Sequence, residues 1–220
     1  METDNDHGWN YCSYSTRNLN GDLAGSGPLF EHVTILLSFV YALALTHLLS
    51  SATDLAIAGK RVRFSGLYAA WAISAALLLF SNWISLWGLT GVKRWTTVEV
   101  LLQFLTAIIQ YFTCSTFRVS MNNDDDTIDL PALYQRRRRL IFGAFLALGV
   151  MAMFVNWWDR NNMNGMGPND WIVEDLTIIP IVITVILAGW ARSTWLQWLA
   201  AVSMFGLNIY ILVLYGVPGS

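Results

Sequence analysis

Six long apolar runs constrain this chain more than any other feature of its sequence. They cover residues 29–49, 66–87, 98–117, 140–158, 171–190 and 195–215. A helix needs about 20 mostly apolar residues to cross the hydrocarbon core of a bilayer, and each run meets that length. The apolar residues come in blocks and do not alternate with polar ones, which favours helices over the strands of a membrane barrel. The sequence therefore predicts an all-α, polytopic transmembrane bundle of six helices.

Composition supports the same class and limits the domain organisation. Charged residues make up 13% of the 220 residues, which is about half the share found in soluble domains. Residues 1–28 are polar and acidic, whereas residues 29–216 hold all six runs, so we expect an extracytoplasmic tail and one transmembrane domain. The tail lacks the basic start and apolar core of a cleavable signal. A formal net charge of −2 does not suit a nucleic-acid partner.

The basic residues between the runs predict the orientation. Cytoplasmic loops retain Lys and Arg, and nine of the thirteen basic residues follow the first, third and fifth runs. They are Lys60, Arg61, Arg63, Arg118, Arg136, Arg137, Arg138, Arg139 and Arg192. We therefore expect both termini to lie outside.

The tryptophans mark the predicted membrane boundaries. Most of the eleven lie near the ends of the runs, where amphipathic indole rings settle at headgroup level. We expect Trp83 and Trp157 at the outer interface, and Trp71, Trp190 and Trp195 nearer the inner one. An aromatic cage for a ligand is the alternative interpretation.

The sequence lacks the residues that would indicate an enzyme or a cofactor site. His32 and His47 are 15 residues apart in one predicted helix, about 22 Å, so they cannot bind the same haem or metal ion. Both lysines, Lys60 and Lys93, lie in predicted loops, which leaves none for a retinal Schiff base inside the bundle. The patterns of hydrolases, metalloproteases, P-loops and dinucleotide-binding folds do not occur. We expect no catalytic residue, no metal and no cofactor, and an enzyme is the least favoured class.

The third run carries the clearest polar pattern, with polar residues at spacings of four, three, four and three on one helix face. This stripe consists of Glu99, Gln103, Thr106, Gln110 and Thr113. It can line a water-filled path, or it can bond to neighbouring helices in a dry core. Thr96 and Glu99 also have the spacing of a capping box, which gives Glu99 a local role at the helix start.

Polar residues in other runs extend the candidate path. His47 and Asp54 share a helix face and form a candidate proton-handling pair, because a nearby carboxylate stabilises protonated histidine. A histidine that bonds to a neighbouring helix is the alternative. The second run contributes Asn82 and Ser85, and the sixth contributes Asn208.

Acidic residues gather where the odd-numbered runs begin. Glu31 and His32 open the first run, and Glu174 and Asp175 lie at the start of the fifth. A ring of acids would concentrate cations at an outer mouth. Acids at helix N-termini also complement the helix dipole, which accounts for these residues without a pore.

A block of four arginines closes the predicted connection 119–139: Arg136, Arg137, Arg138 and Arg139. Anionic lipid headgroups attract such a block at the membrane face, so these residues are candidate headgroup ligands. An orientation anchor is the alternative interpretation.

Two segments resemble a family of small bacterial six-helix membrane proteins that has no assigned function. The first run starts with Phe30-Glu-His-Val, ends with Thr46-His-Leu-Leu49, and is followed by a basic loop. Before the arginines, Leu130-Pro131 and Tyr134 are similar to that family's turn into its fourth helix. The resemblance implies the bacterial inner (plasma) membrane and directs attention to Glu31, Thr46 and His47, but it implies no activity.

The patterns together favour a channel or small transporter for protons or cations, homo-oligomeric in membrane lipid. The alternative is a non-catalytic accessory or structural subunit of a larger membrane complex, with lipid or pigment as its ligand. The first interpretation depends on the helix-three stripe and the acidic mouth, and the second on packing by apolar and aromatic residues.

Overall fold

A computed structural model of the chain describes residues 27–88, 96–119, 127–162, 168–190 and 193–214. Within these ranges lie six helices: α1 Gly27–Ala58, α2 Gly66–Gly88, α3 Thr97–Ser115, α4 Leu130–Asn162, α5 Pro168–Trp190 and α6 Thr194–Leu214. Each predicted run coincides with a helix over most of its described residues, which confirms the all-α class. Four of the helices, α1 to α4, are long and apolar enough to cross a membrane, as expected of a membrane protein.

A short irregular segment follows α1. The backbone of Gly59 has a φ of 51°, in the left-handed region where glycine commonly ends a helix. A 3-10 turn, Gly59–Arg61, leads into strand β1, Val62–Arg63, which pairs in parallel with β2, Ile128–Asp129. The pairing ties the segment after α1 to the segment before α4.

Two helices are longer than predicted. The first ends at Ala58 and not near residue 49, and α4 begins at Leu130 and not near residue 140. The early start of α4 has a local cause, because Asp129 Oδ1 accepts a hydrogen bond from the Ala132 N–H at 3.1 Å, as an N-cap does. Pro131 falls in the first turn, where a missing N–H costs nothing. At 33 residues, α4 is about 50 Å long and exceeds the hydrocarbon core of about 30 Å.

The helices pack most extensively as α1 with α3, α4 with α5, and α2 with α6. Trp71 of α2 is fully buried, and its ring lies edge-on to Phe142 and Phe145 of α4, with centroids 4.8 and 5.2 Å away. Trp71 therefore packs inside the bundle and is not part of an exposed aromatic belt, because this face of α2 turns toward α4. Trp83, Trp157, Trp190 and Trp195 are exposed, as an interfacial belt requires.

A glycine sets the distance between α4 and α5. A Cβ atom built on Gly149 would lie 2.8 Å from Cγ2 of Val182 on α5, which is closer than real Cβ contacts. A side chain at position 149 would therefore require Val182 to shift, and the glycine lets α4 and α5 pack closely at this point. This is the type of small-residue contact that packs membrane helices.

The ends of α1, α3 and α5 meet at one end of the bundle. β1 and β2 join the segment after α1 to the segment before α4 there. From α4, Arg137 reaches the carbonyl of Thr116 just past α3, and Arg138 reaches that of Gly189 near the end of α5. The starts of α2 and α6 are also in contact, through Gly66 and Trp198. We call this the basic end, because it carries Lys60, Arg61, Arg63, Arg118, Arg136, Arg137, Arg138 and Arg139.

Candidate functional site

Gln110 of α3 joins α3 to α2 in the interior. Its side chain is fully buried, its Oε1 accepts a hydrogen bond from Asn82 Nδ2 at 3.1 Å, and its Nε2 donates to the Ala75 carbonyl at 3.2 Å. Nε2 also lies 3.8 Å from the Cys114 sulfur. Both ends of the amide have protein partners, as they would in a dry core.

The neighbouring residue on α3, Tyr111, pairs with α1. The His47 Nε2 and the Tyr111 hydroxyl are hydrogen-bonded at 2.8 Å, and the two rings meet edge-on with centroids 5.2 Å apart. Asp54 lies seven residues further along α1, about 10 Å away along the axis. His47 bonds to α3 instead, so the expected His47–Asp54 pair is not formed.

Tyr111 is absent from the candidates predicted from sequence. The available signal was its position beside Gln110, but nothing in the sequence pairs it with a histidine 64 residues earlier. Only the packing of α1 along α3 does so.

Three other residues of the α3 stripe, Glu99, Thr106 and Thr113, make hydrogen bonds within α3 or at its N-cap. Thr96 and Glu99 form the predicted capping box, with bonds of 2.8 and 3.2 Å between each side chain and the other backbone N–H. The hydroxyls of Thr106 and Thr113 donate to α3's own carbonyls one turn earlier. Gln103 is half-buried. The stripe therefore divides into a cap, internal back-bonds and the interhelical bonds of Gln110.

The remaining candidates, Ser85 on α2 and Asn208 on α6, differ in how far they are buried. Ser85 is exposed and donates to the Asn82 carbonyl at 2.7 Å. Asn208 is buried in α6, where its Nδ2 donates to the Met204 carbonyl at 2.8 Å. Asn208 Oδ1 and Ser81 Oγ are buried without a hydrogen-bond partner in the described part of the chain. Buried polar atoms of this kind commonly bind water.

The structure describes half of the proposed acidic mouth. Glu31 and His32 are exposed on the first turns of α1. Glu174 and Asp175 lie in α5, but their side chains are outside the described residues. Asp54 is half-buried near the opposite end of α1.

The arginine block lies inside α4, and two of its members bind the ends of other helices. Arg137 Nη1 donates to the carbonyl of Thr116, at 3.1 Å, and to that of Arg118, both just past α3. Arg138 Nη2 donates to the Gly189 carbonyl at 2.7 Å. The last carbonyls of a helix lack hydrogen-bond partners and carry partial negative charge. A guanidinium there donates the missing hydrogen bonds and offsets that charge. Arg136 and Arg139 are exposed.

The segments around β1 and β2 carry an ion pair. Arg63 Nη1 lies 3.2 Å from Asp129 Oδ2, and both side chains are exposed. Asp129 thus caps α4 with one carboxylate oxygen and meets Arg63 with the other.

In the described ranges, no group of three His, Cys, Asp or Glu residues is placed to hold a metal ion. Comparisons of the chain with protein-family models, curated proteins and solved structures found no match.

Proposed function

We propose that this protein is a non-catalytic structural or accessory subunit of a larger membrane complex. The observation that carries the proposal is the pairing of Gln110 with Asn82 and with the Ala75 carbonyl in the interior of the bundle. Side chains that would line a conducting path serve here to hold α2 and α3 together.

The pairing extends to the neighbouring helix. His47 is occupied by Tyr111, and the threonine hydroxyls of the stripe bond to α3's own backbone. Polar groups in a membrane helix face either a wet cavity or a partner in the protein. On α3, the side chains of Thr106, Gln110, Tyr111 and Thr113 all have hydrogen-bond partners in the protein, which supports a packing role.

We further propose that all six helices cross a bacterial inner membrane with both termini outside. Support comes from the meeting of the ends of α1, α3 and α5 at the basic end. Cytoplasmic placement of that end follows from its Lys and Arg residues. Membership of the bacterial six-helix family that the first helix resembles is part of the same proposal.

The test combines native mass with flux. Untagged protein extracted in mild detergent is expected to carry a second chain in a fixed ratio, and purified protein in liposomes is expected to pass no protons above protein-free liposomes. A single species at a multiple of 24.7 kDa that conducts protons would overturn the accessory role.

A channel or small transporter for protons or cations is the second candidate. The buried Asn208 Oδ1 and Ser81 Oγ favour it, because neither has a partner in the parts of the chain that the structure describes. Water held by these atoms would begin a wet path. Under this candidate, Asn208→Leu abolishes proton flux while the protein stays folded.

A further inference from the structure

At the basic end, a surface cavity of about 540 Å³ opens between the end of α3 and the first turns of α4. It is lined by Phe112, Ser115, Thr116, Arg118, Arg137 and Leu140. Small-molecule sites have volumes of about 300–1,000 Å³, so a lipid headgroup fits. We propose that this cavity binds one phospholipid with an anionic headgroup. The proposal holds whether or not the bundle conducts ions.

Two guanidinium groups supply the positive charge. The Arg118 side chain is exposed and makes no hydrogen bond to another described residue. Arg137 uses only Nη1 for the carbonyls past α3, which leaves the donors on Nε and Nη2 for a ligand. Guanidinium forks match phosphate oxygens in geometry and in charge.

The two hydroxyls of the cavity play a lesser part. Ser115 and Thr116 already donate to α3's own carbonyls, both at 2.7 Å. Their oxygens line the wall, but their protons are engaged. The arginines are therefore the anion ligands, and no carboxylate is among the lining residues.

The order of residues along the two helices indicates a lipid and not a free anion. Phe112 lies in the last turn of α3 and Arg118 just past its end, whereas Leu140 follows Arg137 within α4, so each apolar residue lies deeper in the bundle than its arginine. Both are about half exposed, at 49% and 48%. An exposed apolar strip continues along α3 through Ile108, Leu105 and Leu101. Charge at the end of the bundle with an apolar track beneath it matches the headgroup and acyl chain of a phospholipid.

The arginines that line the cavity differ from the block of four that the sequence predicts as headgroup ligands. Of the block Arg136, Arg137, Arg138 and Arg139, only Arg137 lines the cavity, and its partner there is Arg118, some 20 residues earlier. Arg136 and Arg139 are exposed outside it and provide charge-matched controls.

The experiment counts lipids bound to the full-length protein by native mass spectrometry. The probes are phosphatidylglycerol and phosphatidylcholine with the same acyl chains. Wild-type protein should retain the anionic lipid preferentially. Arg118→Gln should weaken that binding about fivefold, since an arginine near anionic lipid contributes about 1 kcal/mol, and should leave phosphatidylcholine binding unchanged.

Arg136→Gln and Arg139→Gln lose the same charge, but both residues are exposed outside the cavity, so solvent screening should limit the change in binding to less than about twofold. Equal losses in all three variants would show diffuse attraction and overturn the site. Displacement of phosphatidylglycerol by millimolar inorganic phosphate would identify a free-anion site and overturn the lipid proposal, as would equal retention of the two lipids.

A second variant guards against misfolding. Ser115→Glu places a carboxylate beside the two arginines and keeps both of them, so it should abolish the preference for phosphatidylglycerol. Thermal unfolding of each variant checks that the bundle is intact. Retained preference in a folded Ser115→Glu protein would contradict the proposal.

Discussion

Polar side chains hold together two regions of the bundle, but their partners differ. One region is the contact of Gln110 on α3 with Asn82 and Ala75 on α2, which we call the seam, and the other is the basic end. In the seam, Gln110 bonds to a side chain and a carbonyl of the neighbouring helix. At the basic end, Arg137 and Arg138 bond to backbone carbonyls at the ends of α3 and α5. Neutral amides thus join helices side by side, whereas arginines close helix ends that would otherwise have unpaired acceptors.

The difference has an energetic consequence. A buried amide that loses its partner leaves other groups unpaired where water is scarce, and each such group costs about 1–3 kcal/mol. An unpaired carbonyl at the basic end can bond to water. We therefore expect the seam to be more sensitive to substitution than the basic end.

The largest expected effect is at the seam. Gln110→Leu keeps the side-chain volume but leaves Asn82 Nδ2 and the Ala75 carbonyl without this partner, and should cost about 2–3 kcal/mol of unfolding free energy. Gln103→Leu is the matched control, because Gln103 is half-buried in the same stripe. Unfolding in mixed micelles measures both, and equal losses would remove the distinction between these two positions.

The basic end comes next. Arg138→Gln shortens the side chain that reaches the Gly189 carbonyl, and should cost about 1–2 kcal/mol, as expected for a charged hydrogen bond that is half-buried. The exposed Arg139 gives a matched change, and Arg139→Gln should be close to neutral in the same unfolding assay. If Arg138→Gln destabilised the protein no more than its control, the hydrogen bond from this guanidinium to the end of α5 would make no net contribution to stability, contrary to the prediction.

A smaller effect is expected where α1 meets α3. A double-mutant cycle with His47→Leu and Tyr111→Phe should give a coupling energy of about 0.6 kcal/mol, the average for side-chain hydrogen bonds within membranes. A parallel cycle with His47→Leu and Asp54→Asn should give no coupling. Coupling in the second cycle and none in the first would restore the pair expected from sequence.

The smallest effect is expected at the exposed Arg63–Asp129 pair. Arg63→Gln should cost less than about 0.5 kcal/mol, because solvent screens an exposed ion pair. That small cost should disappear in high salt, because dissolved ions screen the attraction between two solvent-exposed charges. A larger loss that persists in salt would show that Arg63 has a packing role.

Features that depend on nearby residues could be predicted from the sequence. The six helices, the membrane class and the Thr96–Glu99 capping box follow from apolar runs and from a spacing of three residues. The early start of α4 is not among the predictions, although Asp129 and Pro131 are its signal. The run of arginines that follows them is typical of a loop at the membrane face, and the sequence therefore predicts one there. Helix lengths near charged segments therefore require attention to caps as well as to hydropathy.

The sequence by itself determined which residues are polar, which segments are helical and where positive charge accumulates. Only the tertiary structure decided that His47 meets Tyr111, that Trp71 is buried against Phe142, and that Arg137 and Arg118 share a cavity. The physical reason is one of range. Helices and caps form through contacts between residues a few positions apart, whereas the partner of a side chain depends on how whole helices pack, which is the sum of many weak contacts along their length.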